Sequence, residues 1–354
     1  MARGVPDEAR RAALVERERA LLKAHAWSWL PEGFLRTSDA LACVRFHRGL
    51  LASAALASQS LPIQGRAALE QSPGLEALTL LDVATDWDVY RARAASPAQV
   101  GAGLAKLDSL GLLSGLRRLA VRAWGFDDAQ LEVVSSLQGL RLASLSVRAP
   151  LPPGAVTARG AGLIAKAERL RGLRGLELVG QPIEDAGAEA IAKSGLGLEK
   201  VELLSCELTN PGVVAVLEAY DPARTHVDLR GARLDLEGVR TLAAHAPRAG
   251  ENELSVATSA GQVLRVESSA LAGRGPVCQI TFGSRAVESG HLLLEKAKDG
   301  VWWAEAVGGG VRLGGRLRVT RQRIRDGDEY YLAPDAIVRC TLARAADSDE
   351  GELE

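Results

Sequence analysis

Leu173-Arg174-Gly175-Leu176-Glu177-Leu178 and, 25 residues later, Leu198-Glu199-Lys200-Val201-Glu202-Leu203 are two copies of one pattern, L-x-x-L-x-L. Further copies stand at Leu75/Leu78/Leu80, Leu116/Leu119/Val121 and Leu142/Leu145/Val147, with Val227/Leu229 a shortened copy and Leu51/Ala54/Leu56 an early one. With the middle apolar position as marker, residues 54, 78, 119, 145, 176, 201 and 227 follow at steps of 24, 41, 26, 31, 25 and 26. A period in this range marks a chain that stacks one small supersecondary unit many times. The single long step contains Asp82 to Val100, with Asp86-Trp87-Asp88-Val89-Tyr90, and reads as an inserted loop.

Apolar positions two apart argue a short strand in each copy. After the later copies come Ile183 then Gly187, Leu208 then Gly212, and Leu234 then Gly238, always four residues on. Each glycine opens a helical run, such as Ala188-Glu189-Ala190-Ile191-Ala192 or Val213-Val214-Ala215-Val216-Leu217. The unit is therefore strand, turn, helix, and over residues 48–250 it resembles the leucine-rich repeat of the helical variety typified by ribonuclease inhibitor. The resemblance implies an α/β solenoid with parallel strands on the concave side and helices on the convex side. It also implies asparagine or cysteine five residues after the marker, capping backbone groups in the turn. Those positions hold Trp124, Pro150, Gln181, Cys206 and Ala232, so only Cys206 and Gln181 suit the role and the turn ladder should be irregular. Residues 1–47 read as a helical N-terminal cap, with Leu14, Leu21 and Leu22 in Ala12 to His25. The order Trp29-Leu30-Pro31-Glu32-Gly33, then Arg45-Phe46-His47-Arg48-Gly49-Leu50, is similar to the entry segment of some bacterial leucine-rich proteins.

In such a stack the residue between the last two apolar positions faces the concave side. These residues are Thr79, Ala120, Ser146, Glu177, Glu202 and Asp228, which puts three carboxylates in adjacent strands, about 4.8 Å apart. Like charges so placed repel, and Arg230 and Lys200 are at hand to neutralise them. Arg117, Arg118, Arg122 and Arg148 precede them, so the face should be basic at one end and acidic at the other. Glu177, Glu202, Asp228, Arg230, Arg122 and Arg148 are the candidate partner-binding residues, against the alternative of an ordinary solvated sheet face. Acid–base catalysis wants a pocket and a shifted pKa, which an open sheet does not offer.

From about residue 254 the texture becomes strand-only: Leu254-Ser255-Val256, Val263 to Val266, Gln279 to Phe282, His291 to Glu295, Val301 to Glu305 and Ile337 to Leu342. Asp299-Gly300 is a hairpin turn between two of them. Together they argue a small β-sandwich over residues 251–345. Leu254 lies 27 residues after Val227, so it fits either the last repeat or the first sandwich strand; serving both would give a rigid junction.

The order Gly273-Arg274, Cys278-Gln279-Ile280, Val287 to His291, Gly308 to Gly315 and Ile324 to Asp328 resembles a forkhead-associated (FHA) domain, a family that binds phosphothreonine peptides through loops at one end of a sandwich. The resemblance implies that Arg274 faces the phosphate and that His291 braces the loop. Glu288 stands where the family has serine, and a carboxylate there repels phosphate. Gly309 and Gly314 stand where the family has the asparagines that hold peptide backbone. The expected module therefore keeps the sandwich and has lost phosphothreonine binding of the family's usual kind.

With 43 basic and 44 acidic side chains, the net charge of −1 lacks the electrostatic footprint of a nucleic-acid binder. Histidines 25, 47, 226, 245 and 291 have no metal-ligand spacing, and no phosphate loop, H-E-x-x-H or G-x-S-x-G occurs. No metal, cofactor or catalytic residue is expected. Cys43, Cys206, Cys278 and Cys340 form no C-x-x-C pair and read as reduced. A polar N-terminus and the lack of any long apolar run predict no membrane partner and a cytoplasmic location, and residues 346–354 read as a solvated acidic tail. The expectation is a non-catalytic adaptor that binds one or more proteins. The alternatives are a phosphothreonine-dependent signalling reader and a structural subunit of a larger bacterial assembly.

Overall fold

The computed structural model describes residues 16–17, 20–21, 24–25, 28–31, 34–35, 43–47, 50–58, 61–81, 99–123, 125–148, 155–221, 224–245, 254–266, 269–274, 278–282, 286–287, 291–297, 301–307 and 310–342. The chain divides into two compact units, residues 1–145 with 149–154, and residues 146–148 with 155–354.

In the first unit the described residues between 16 and 29 are helical, and Leu30 and Phe34 are buried. Strand β1 (Arg45–His47) pairs antiparallel with β2 (Leu50–Ala57). Strand β2 then pairs in parallel with β3 (Ala77–Leu81), and β3 with β4 (Arg118–Arg122). Ala54, Leu78 and Leu119 are direct cross-strand partners, so the sequence marker is also the structural register. Helices α1 (Leu61–Glu70), α2 (Gln99–Ser109) and α3 (Asp128–Ser136) link and follow these strands and pack on one another in chain order. Asp127 caps α3 by accepting the Gln130 N–H at 3.1 Å, satisfying one donor that the first helical turn leaves free. Residues 82–98, most of the expected inserted loop, lie outside the described residues, as do Trp124 and Pro150. Strand β5 (Ser144–Arg148) contains the boundary between the units.

The second unit continues the same alternation. Strands β6 (Gly175–Val179), β7 (Lys200–Leu204) and β8 (His226–Asp228) are parallel, with Leu176, Val201 and Val227 in register. Helices α4 (Ala158–Lys166), α5 (Glu184–Ala192), α6 (Asn210–Ala219) and α7 (Leu236–His245) pack side by side in chain order. Each of α5 to α7 starts two or three residues before the glycine expected to open it, so Gly187, Gly212 and Gly238 lie inside the first turn. The reason is the previous helix start. A Cβ on Gly212 would sit 2.4 Å from Asp185 Oδ1, and one on Gly238 would sit 2.1 Å from Asn210 Oδ1. Asp185 uses that proximity to accept the N–H groups of Thr209 (2.7 Å) and Gly212 (3.0 Å), capping the next helix across the repeat.

The two turn residues that suit the capping role take it. Gln181, fully buried, accepts Val156 N–H at 2.8 Å and donates to Val179 O at 3.0 Å. The Cys206 thiol lies 3.3 Å from Leu178 O, and burial pushes its pKa up to about 12, so it stays a neutral thiol.

Strands β9 (Leu254–Thr258), β10 (Val263–Val266), β11 (Ser269–Gly273), β12 (Ile280–Thr281), β13 (Leu292–Lys296), β14 (Trp302–Ala306), β15 (Arg312–Leu313), β16 (Leu317–Arg318), β17 (Arg321–Arg323), β18 (Glu329–Ala333) and β19 (Ala336–Leu342) form a two-sheet sandwich. The sheet orders are β10-β9-β19-β18-β15-β16 and β12-β11-β13-β14-β17. Val256, Ala272, Ile280, Leu292, Leu294, Trp302, Ile324, Tyr330 and Val338 fill the space between the sheets. Leu254 opens β9, which pairs with β10 and β19, so it belongs to the sandwich. Residues 298–300, with the expected Asp299-Gly300 turn, lie outside the described residues, yet β13 and β14 pair up to Lys296 and Trp302 as a hairpin requires.

Within this unit the sandwich is joined to the last strand-helix repeat by backbone as well as side chains. Gly180 N–H donates to Leu204 O (2.8 Å) and Ser205 N–H to Arg230 O (2.7 Å). At the next step Gly231 N–H donates to Ala260 O (2.8 Å) and Leu234 N–H to Ser259 O (2.9 Å). The β9–β10 turn thus supplies the rung that a further repeat would have supplied. Gly261 makes the approach possible: its φ is +71°, and a Cβ there would lie 2.2 Å from Leu229 O. Helix α7 packs on β9 and β19, and every residue of β9 is buried, which means both its faces are covered. Arg240 of α7 clamps Glu329 of β18 through Nε (2.7 Å) and Nη2 (3.0 Å), and Arg339 binds the same carboxylate.

Candidate functional site

The first candidate surface is the strand face carrying the carboxylates. Glu177, Glu202 and Asp228 are direct cross-strand partners on β6, β7 and β8, as their spacing implies. None stands alone. Arg148 Nε donates to Glu177 Oε1 at 2.6 Å, and its Nη2 binds the same oxygen. Glu202 Oε1 meets Lys200 Nζ at 2.9 Å and His226 Nε2 at 3.4 Å. Arg230 holds Asp228 through Nε at 2.9 Å and Nη2 at 2.7 Å. That hydrogen bond, with the charges of Asp228 and Glu202, raises the already high pKa of Arg230.

Exposure decides what a partner meets first. The three carboxylate side chains are 13 to 17% exposed, whereas Arg148, Lys200 and Arg230 are 45 to 55% exposed. The acids form the floor and the cations stand above them, so the face presents paired charge rather than an acidic end. Arg122, at the end of β4, is exposed in the other unit. His226 was not anticipated in this network; its signal is the register, which makes it the cross-strand partner of Lys200. The ligand atoms of Glu202, His226 and Asp228 lie within 4.8 Å of one another, but Lys200 and Arg230 already neutralise the two carboxylates. Beside this face a cleft of about 430 Å³ runs between Val227, Leu229 and Leu242 on one wall and Gly261 to Leu264 on the other, with Asp228 and Arg230 at its lining.

The second candidate surface is one end of the sandwich. Arg274 is exposed at the close of β11. His291 is 2% exposed, its N–H donating to Ala272 O (2.9 Å) and its carbonyl accepting from Val307 N–H (3.1 Å). Since β11 and β13 are antiparallel, with Ala272 opposite Leu292, Arg274, His291 and the segment after β14 meet at the same end. Gly314 is not part of this group. It forms the β15–β16 hairpin turn with Gly315, both at positive φ (+55° and +73°), and donates to Glu329 O at 2.9 Å at the far end. A strand as short as β15 is enough to carry it there. Glu288 and Gly309 lie outside the described residues.

No helix among the described residues is long and apolar enough to cross a membrane. No family model and no curated protein matches the chain. Several solved structures of forkhead-associated domains are similar to part of it. The FHA domain of the CT664 protein from Chlamydia trachomatis is 15% identical, covering 26% of this chain and 98% of that one, with a TM-score of 0.24. The first FHA domain of Rv1747 from Mycobacterium tuberculosis is 23% identical over 26% of this chain and 97% of that one, TM-score 0.24. The N-terminal FHA domain of Rad53p from S. cerevisiae, solved with a phosphothreonine peptide, is 16% identical over 26% of this chain and 94% of that one, TM-score 0.23.

Proposed function

We propose that the chain is a non-catalytic adaptor that binds other proteins through two surfaces, a leucine-rich-repeat solenoid and an FHA-like sandwich. The observation that carries this reading is the strand face, where Arg148, Lys200 and Arg230, about half exposed, each cover a largely shielded carboxylate. Charges held in place by neighbours, along one strand face, suit recognition of a polar protein surface, since the ordering cost of their side chains is met before the partner arrives. Asp228, which borders the cleft, is already held by Arg230, and Glu202 by Lys200, which favours binding over chemistry.

The FHA-like reading of the sandwich rests on Arg274 and His291 meeting at one end, one exposed and one buried behind it. An exposed guanidinium is what phosphate recognition needs first. Glutamate at 288 and glycine at 309 remove groups that the family uses, so the module is read as a protein-binding one that no longer depends on phosphate.

The test compares binding of the full chain to a degenerate phosphothreonine peptide library and to its unphosphorylated twin. Equal binding to both supports the adaptor reading. Phosphate-dependent binding that disappears in Arg274→Ala would instead make this a phosphothreonine reader. The full chain is required because β9 is covered on both faces, one of them by α7, and a severed sandwich would expose Ser255 and Ala257.

A further inference from the structure

Residues 312 to 325 read Arg312-Leu313-Gly314-Gly315-Arg316-Leu317-Arg318-Val319-Thr320-Arg321-Gln322-Arg323-Ile324-Arg325, six guanidiniums and no carboxylate in a chain of net charge −1. All six arginines are exposed. They lie on or beside β15, β16 and β17, and β16 and β17 are the outermost strands of the two sheets. Only Val319 and Thr320 separate those strands, so both open edges flank the same side of the sandwich.

The arrangement is unfavourable when left alone. Arg312 and Arg318 are direct cross-strand partners, a placement in which like charges destabilise a hairpin. Arg321 is 3.7 Å from Glu305 and lies over the Trp303 ring at 5.4 Å. Among the described residues, Arg312, Arg316, Arg318, Arg323 and Arg325 form no ion pair. Along β17 and just past it, Ile324 is buried and Gln322 half-buried, so Arg321, Arg323 and Arg325 share the outer face, spaced by about 6.8 Å.

We infer that this arginine-lined edge is a docking site for an extended acidic segment, and that residues 343–354 of this chain are its occupant. An open strand edge offers unpaired N–H and C=O groups to another extended backbone; a nucleic acid would use the charge and leave that row unused. The segment carries Asp347, Asp349, Glu350, Glu352 and Glu354, and the last three alternate as Arg321, Arg323 and Arg325 do. It departs from the right place: Leu342 N–H donates to Asp326 Oδ1 at 3.0 Å, one residue beyond Arg325. Twelve extended residues reach about 40 Å, well beyond the roughly 14 Å that the three arginines span.

The test uses a labelled synthetic peptide of residues 343–354 and fluorescence anisotropy, with the full chain and a chain ending at Leu342. The tethered copy competes at high effective concentration, so the peptide should bind the shortened chain at least tenfold more tightly than the full one. Binding should weaken at high salt and in the double variant Arg321→Ser, Arg323→Ser. A peptide with every Asp and Glu replaced by Asn and Gln leaves the protein untouched and should not bind. Equal affinity of both chains would rule out the tail as occupant. Unchanged binding of the neutral peptide would rule out the charge match, and a single-stranded oligonucleotide that outcompetes the acidic peptide would assign the edge to nucleic acid.

Discussion

Ser205 holds a φ of +52° at the turn position that Gly180 and Gly231 occupy in the neighbouring repeats, at +65° and +89°. A side chain in this conformation costs on the order of 1 kcal/mol. Ser205→Gly should therefore raise the urea midpoint by the equivalent of about 0.5 kcal/mol, the relief of strain exceeding the added unfolded-state freedom. Asp235 offers a pH test. Its carboxylate accepts the Gly238 N–H (3.0 Å) and pairs with Asn210, which together hold its pKa below the ordinary carboxylate value. A lowered folded-state pKa adds stability that is complete above the unfolded value, about 3.9, and is lost as pH falls through the folded one. Wild type should exceed Asp235→Asn in urea midpoint at pH 7, and the gap should shrink as pH falls below about 3.9. Cys206 and Gln181 were legible in the sequence because a single turn position, counted from the marker, predicts what their side chains must do. The exposed row of arginines from Arg312 to Arg325 was not, because a whole-chain charge of −1 averages it away.

At the scale of elements, the strand-helix repeats were readable since their apolar period and their backbone register are the same thing, as Leu176, Val201 and Val227 show. The helix starts were misjudged by two or three residues: the glycines are there to admit Asp185 and Asn210 from the previous repeat, not to begin the helix. In the sandwich, β10 and β14 carry apolar residues that announce them. Strands β15 to β17 are two or three residues long and rich in arginine, so neither alternation nor propensity marks them. Position within a sheet, which the sequence does not print, turns those short segments into edges. The β9–β10 turn is the element on which the second unit depends. Gly261→Ala would drive a Cβ into Leu229 O, and amide exchange should then speed up at Gly231 and Leu234 as well as along β9. Exchange that rises in β9 alone would mean the rung is not shared.

For the molecule, the decisive relation is within the second unit, where Arg240, Glu329 and Arg339 fasten a helix of the repeats to a strand of the sandwich. A row of stacked repeats ordinarily grows or shrinks by whole copies, because each copy ends as it begins. Here the last copy ends on a surface made for one neighbour only: Ala260 and Ser259 accept the bonds of Gly231 and Leu234, and Gly261 admits the Leu229 carbonyl. A duplicated strand-helix copy placed after α7 would have to reproduce that interface on its own turn and helix before the sandwich could seat again.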